Sequence, residues 1–317
     1  MTVIADVQYR DLPFDITCID TQLHRPNMVA CYLIEQDGMA AFIDTGVGNN
    51  VPMLMNLLKL KGISPDSVAY VMPTHVHLDH AGGAGRLMLE LPNAKLLIHP
   101  RGGRHMVDPG KLQAGSIDVY GKKLYNKVFG ELVPVPKQRV VEVGDGYELD
   151  FNGRKLIFYD TPGHARHHYC VYDALSNGLF TGDTFGASYS ELNGGRIPFI
   201  FPPTTPVQFD PIAWRATLER LMVLAPERIF VTHFGMHENV EFFVRSLQQM
   251  IGQYVAIAEE LGEEENPAQK ITEAIMALSL NTLLENGCGL GNEQIKSLLQ
   301  MDMEINAQGL VHWLATK

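Results

Sequence analysis

No stretch of this sequence approaches the roughly 18 consecutive apolar residues that a membrane-spanning helix needs, so no membrane partner is expected. Cysteine is sparse: Cys18, Cys31, Cys170 and Cys288 are far apart and form no Cys-x-x-Cys pair, which reads as four reduced thiols of a cytoplasmic protein. Positive charge is short as well. With 25 basic against 36 acidic residues the formal net charge is -11, which argues against a protein that tracks the phosphates of long nucleic acids with a basic face. Residues 1–15 set acids among apolar positions and lack a basic stretch followed by an apolar core, so no secretory leader is expected.

What is present is a globular composition. The 317 residues are 46% hydrophobic and 19% charged, which excludes a disordered or fibrous chain and leaves room for one large domain with an appendage. The densest chemistry lies in Thr74-His75-Val76-His77-Leu78-Asp79-His80-Ala81-Gly82-Gly83, directly after the apolar run Val68–Met72, which reads as a buried strand stopped by Pro73. Side chains at i and i+2 of an extended chain share a face, so His75 and His77 can reach one metal ion, and the next turn brings Asp79 and His80 to a second position beside it. The Gly82-Gly83 pair is expected to turn the backbone tightly, with a helix beyond whose N-terminus faces the cluster.

Three more strands run into residues able to hold a metal. Lys155–Tyr159 leads to Asp160-Thr161-Pro162-Gly163-His164, Gly178–Phe180 to Thr181-Gly182-Asp183-Thr184, and Arg228–Val231 to Thr232-His233-Phe234-Gly235. Sheets of this kind bring neighbouring strand ends to one edge, where sites form. Further strands are expected at Phe14–Ile19, Met28–Glu35, Met39–Asp44, Ala94–His99, Val140–Val143, Tyr147–Phe151 and Tyr169–Tyr172. Asp44, at the end of one of them in Asp44-Thr45-Gly46, has two readings: a turn or helix cap, or the partner that orients a metal-bound histidine.

Helices are expected at Val51–Leu60, at Arg86–Leu91 and from the N-cap pair Asp210-Pro211 to about Leu224. The region from about 101 to 137 reads as a mostly helical insertion and a candidate lid; its His105 reads as a surface histidine. The long loop 186–207 holds Tyr189 and Arg196, candidates to polarise or clamp a substrate if the segment is more than an ordinary surface loop. The tail 238–317 shows amphipathic stripes: one from Phe243 to Leu261, one over Pro267–Leu284, and a third from Asn292 with room for a fourth. It reads as a bundle packed on its own domain, or as a dimerisation or lid element that makes a homodimer. Neither His312 nor Trp313 there has a partner that the pattern names.

Taken together, His75-x-His77-x-Asp79-His80 after a strand, Thr161-Pro162-Gly163-His164, Gly182-Asp183-Thr184 and Thr232-His233 resemble the metallo-β-lactamase superfamily, and within it the glyoxalase II-like and lactonase-like dinuclear members, over roughly residues 28 to 236. The resemblance implies an α/β fold, a four-layer αββα sandwich over residues 1–237 followed by a helical extension over 238–317. It implies two divalent metal ions, zinc first, with iron or manganese compatible with the same ligands. His75, His77 and His164 would hold one, Asp79, His80 and His233 the other; Asp183 would bridge them, and Asp44 would lie beneath.

Departures from the pattern narrow the class. Asp183 as a bridge resembles thioesterases, lactonases and phosphodiesterases more than true β-lactamases, and His77 stands where the family's flavin-linked diiron reductases usually carry Glu. Ala165-Arg166-His167-His168 departs from glyoxalase II, whose basic glutathione-binding tail is also missing; His167 and His168 either contact substrate or serve the structure. The expectation is a hydrolase that attacks a small-molecule carboxylic ester, thioester or lactone with a hydroxide held by the two metals, Asp79 and Asp183 being its catalytic carboxylates. The same ligands serve phosphodiester hydrolysis. A mononuclear-iron sulfur dioxygenase and a non-enzymatic regulator that binds a partner through its helical tail are the readings outside hydrolysis.

Overall fold

Several strands of this chain are apolar on both faces, and such a strand is stable only where both faces are covered. The computed structural model, which describes residues 7–194 and 197–317, meets that demand with two packed sheets. The first sheet holds, in spatial order, β1 (Gln8–Leu12), β2 (Ile16–Asp20), β3 (Ala30–Gln36), β4 (Met39–Ile43), β5 (Val68–Met72), β6 (Lys95–Ile98) and β7 (Val140–Glu142). It is antiparallel from β1 to β4 and parallel from β4 to β7. The second holds β8 (Tyr147–Phe151), β9 (Arg154–Asp160), β10 (Tyr169–Asp173), β11 (Gly178–Gly182), β12 (Arg228–Val231) and β13 (Gly235–His237) in the order β13-β12-β11-β10-β9-β8, with β11 and β12 parallel.

Two of these strands have no counterpart in the sequence pattern. β1 is exposed along nearly all its length and β13 has only 3 residues, so neither carries a periodic apolar signal.

The described residues of Met1–Asp160, with His167–Gly182 and Arg228–Met236, form one compact unit. Its helices are α1 (Val51–Lys61), α2 (Leu78–Ala81), α3 (Ala84–Glu90), α4 (Pro100–Val107), α5 (Gly110–Tyr120) and α6 (Lys122–Val128); the last three make the insertion at 101–137 mostly helical. Along β3 the period of two is plain. Ala30, Tyr32 and Ile34 face a core shared with Phe158, Val171 and Phe180 of the second sheet, whereas Cys31 and Leu33 face Leu54, Leu57 and Leu58 of α1 and Leu87 of α3. Two tyrosines cross the inner core with their hydroxyls satisfied: Tyr32 donates to the Val231 carbonyl at 2.7 Å and Tyr169 to the Leu97 carbonyl at 2.9 Å. Burial raises both phenols well above their ordinary range.

The described residues of Thr161–Arg166, Asp183–Glu227 and His237–Lys317 form a second unit. In it α7 (Pro211–Met222) starts as the sequence predicts: Asp210 Oδ1 accepts from the amides of Ile212 and Ala213, and proline fills the first helical position. The tail forms α8 (Val240–Leu261), α9 (Pro267–Glu285) and α10 (Asn292–Thr316), a bundle whose core is drawn from Leu247, Ile251, Tyr254, Ile275, Leu283, Leu299 and Met303. The stretch from Asn292 is a single helix of 25 residues with no break for a fourth. No described helix is long and apolar enough to cross a membrane.

Candidate metal centre

β4 and β5 are parallel, so their C-terminal ends reach the same edge of the first sheet; β11 and β12 do the same in the second. β4 is followed by Asp44, which takes a left-handed backbone conformation, φ 57°, that Asp tolerates better than most residues. Its buried carboxylate accepts from the Thr74 amide at 2.7 Å and hydroxyl at 2.9 Å, just beyond β5, and from the Thr232 hydroxyl at 2.8 Å, just beyond β12. Nδ1 of His80 lies 2.8 Å from Oδ2, the oxygen that also accepts from Thr232. One carboxylate therefore ties together strand ends from both sheets and orients a histidine. The helical residues that follow begin at Gly48 with Val47 as their cap, so Asp44 caps no helix.

An ionised carboxylate only accepts, so the Asp44 contact assigns the His80 proton to Nδ1 and leaves a lone pair on Nε2. Backbone carbonyls make the same assignment twice more: Nδ1 of His233 donates to Met28 O at 2.9 Å, and Nδ1 of His164 to Pro203 O at 2.7 Å. The Nε2 atoms of all three face carboxylate oxygens. His80 and His233 lie 3.5 Å and 3.3 Å from Asp79 Oδ2, and His164 lies 3.2 Å from Asp183 Oδ2. With Nδ1 already protonated, each pair sets lone pair against lone pair. That repulsion vanishes only if a cation, or a second proton on the ring, stands between them. Imidazole nitrogens with carboxylate oxygens are donors that suit zinc and its neighbours, so the residues present fit the implied metals.

His75 and His77 are presented differently from the sequence expectation. β5 stops at Met72, and Pro73 to His77 form an irregular loop rather than extended chain, yet the two rings meet edge to face with centroids 4.4 Å apart. His75 also packs on His80 at 4.0 Å. Asp79 and His80 come from the first turn of α2. The Gly82-Gly83 pair does not make a left-handed turn: both residues have ordinary negative φ, -62° and -84°. Gly83 is needed for close approach, because its amide donates to Gly46 O at 2.8 Å and a Cβ there would stand 2.9 Å from Val47 O.

In the first unit ligand-capable atoms of Asp79, His80 and His233 lie within 4.8 Å of one another, as do those of His75 and His77; in the second unit those of His164 and Asp183 do the same. His167 lies parallel to the His75 ring at 6.1 Å and edge-on to His77 at 5.5 Å, while His168, fully buried, lies 4.8 Å from His75. Tyr189 is buried too, its hydroxyl donating to Asp302 Oδ1 at 3.1 Å. Arg196 lies outside the described residues. His105, beside Arg104 on α4, belongs to none of these groups, and Trp313 meets the ring of Phe209 at 5.9 Å.

Several contributors carry no signal in side-chain type. The carbonyls of Met28 and Pro203 are backbone atoms. Thr74 and Thr232 leave a faint trace, since each directly precedes one of these histidines. His24 is a further residue the sequence does not mark: burial lowers its pKa, and the charge of Asp79 opposes that shift.

A model of the metallo-β-lactamase superfamily matches residues 24–233. Over 230 residues the chain is 30% identical to the metallo-beta-lactamase fold-containing protein ST1585 of Sulfurisphaera tokodaii, a match that spans 71% of this chain and 80% of that one. Over 233 residues it is 24% identical to an N-acyl homoserine lactonase of Bacillus thuringiensis, spanning 65% of this chain and 80% of the lactonase. The crystal structure of ST1585 from Sulfolobus tokodaii superposes with a TM-score of 0.63 at 25% identity, covering 90% of this chain and 93% of that one.

Proposed function

The chain belongs to the metallo-β-lactamase superfamily, whose mixed α/β fold it shares together with C-terminal helices, and from that premise we propose that it is a metal-dependent hydrolase of a carboxylic ester, thioester or lactone. The observation that carries the reading is the place of Asp79. Its Oδ2 stands before the Nε2 lone pairs of both His80 and His233, and its side chain is 27% exposed while His75 and His80 are fully buried. A carboxylate so placed reaches solvent on one side and a cation site on the other.

The assignment of residues follows the family resemblance. His75, His77 and His164 would hold one divalent ion and Asp79, His80 and His233 a second, and Asp183, buried beside His164, would serve both. Zinc suits these donors, and iron or manganese fit them as well. Such ions, when bound, bring the pKa of a coordinated water near neutrality and polarise a scissile carbonyl. The protein's own groups do the rest. Asp44 holds His80 in one tautomer and one direction. Asp79 takes a proton from the attacking water at its open side and returns it to the leaving oxygen or sulfur.

The choice of a carbonyl centre is supported by the likeness to a lactonase. A panel of chromogenic esters, thioesters, lactones and phosphodiesters tests it. The highest kcat/KM is expected on a carbonyl compound, and a phosphodiester preferred by orders of magnitude would replace this reading with phosphodiester hydrolysis at the same ligands.

A further inference from the structure

The bond that fixes His164 ends on an acceptor that cannot anchor itself. Nδ1 of His164 donates to the carbonyl of Pro203, and Pro202-Pro203 offers no N–H with which that stretch of backbone might be tied down. On the N-terminal side Phe201 exchanges backbone bonds with Ala187 at 3.0 and 2.9 Å; on the C-terminal side the anchoring falls to Thr204, which is fully buried and directs both of its donors at one residue of α10: its amide donates to Asn306 Oδ1 at 2.8 Å and its hydroxyl to Asn306 O at 3.0 Å.

One turn further along the same face, Gly309 lets the loop lie directly on the helix backbone. A Cβ there would overlap the Thr204 carbonyl oxygen and stand 2.7 Å from its carbon and 2.8 Å from the carbonyl carbon of Thr205. Asn and Gly are both unfavourable inside a helix, Gly by about 1 kcal/mol relative to Ala. Their presence 3 residues apart in the middle of a 25-residue helix has a local reason in that contact. Asp302, one turn earlier on the stripe, adds a second tie to the same loop by accepting from Tyr189.

The geometry points to α10 as the element that positions His164, with Asn306 and Gly309 as its positioning residues. The inference deepens the function proposed above and, in its metal readout, rests on His164 being a ligand. On this account the C-terminal helix acts neither as a lid nor as a spare surface. It is a strut that sets the direction of one imidazole through a two-proline loop, and so couples the helical bundle to metal retention.

The test compares Asn306→Leu and Gly309→Ala with Leu299→Ala, which opens a cavity at a fully buried position two turns before Asn306 on the same helix. The first readout is the imidazole nitrogen resonances of histidine-labelled, metal-free protein. The wild-type chain and Leu299→Ala should show a slowly exchanging proton on His164 Nδ1, and in the two clamp variants that proton should exchange faster. The second is zinc retention against a chelator: the clamp variants should release one of two ions roughly 10- to 100-fold more readily, and Leu299→Ala should not.

The inference is overturned if folded clamp variants keep the His164 Nδ1–H signal and wild-type retention. It is equally overturned if Leu299→Ala disturbs both readouts as much as they do. Loss of the His164 signal in the clamp variants of a protein that binds no zinc would uphold the strut and refute the metal reading alone.

Discussion

A carboxylate oxygen of Asp44 and Nδ1 of His80 lie 2.8 Å apart, with neither side chain exposed to solvent. The contact joins a residue at the end of β4 to one on α2, and the same carboxylate also receives the hydroxyls of Thr74 and Thr232. Every group that surrounds Asp44 in this way is a donor, so the site calls for an acceptor on all sides.

Asp44→Asn tests this. The amide turns a donor toward at least one of those donors, and zinc affinity should fall roughly 10- to 100-fold as His80 loses its fixed direction. Stability should fall by about 1–3 kcal/mol for the buried group left unpaired. Chelator competition and denaturant unfolding read the two effects. Zinc retention equal to wild type would show that Asp44 serves the fold alone.

Ligands should separate cleanly from bystander histidines. His164→Ala and Asp183→Asn should lose turnover and bound metal together, each removing a donor atom, while His105→Ala and His312→Ala should keep both within about twofold. Activity assays paired with elemental analysis of the same preparations decide it. Full metal content and activity in Asp183→Asn would remove that residue from the site.

The thiols should answer to burial. Desolvation pushes Cys18 up to about 12 and Cys31 well above its ordinary range, while Cys288 is partly exposed. At pH 8 a thiol reagent should therefore label Cys288 in the native protein and leave Cys18 and Cys31 for the unfolded chain, as peptide mass spectrometry would show. The raised values also set a sign. Below the unfolded thiol pKa, near 9, these groups are neutral in both states and cost nothing; above it the unfolded chain ionises first, so stability should decline from about pH 9 toward 12. Equal labelling of all four cysteines at pH 8 would contradict the burial.

Much of the architecture is legible in the sequence because it rests on periodic burial. β3 and β4 alternate between two cores, and each run of apolar residues that stops at His75, Asp183 or His233 is a real strand stopping at or within a few residues of an edge. Asp210-Pro211 announces α7 because its capping chemistry is local.

What escapes the sequence is whatever depends on backbone atoms or on chance proximity in space. The carbonyls of Met28 and Pro203 fix two histidines without any characteristic side chain. The hydroxyl of Tyr189 meets Asp302, 113 positions away, a pairing that no local pattern announces. Asn306 and Gly309 read as weak points of a helix until the loop beneath them is seen.

Metal content tests the two-ion site most directly. Protein purified under metal-replete conditions and freed of loosely held ions should carry close to two transition-metal ions per chain by elemental analysis, as two sets of nitrogen and oxygen donors require. A value that stays at or below one, with the histidines intact, would contradict it.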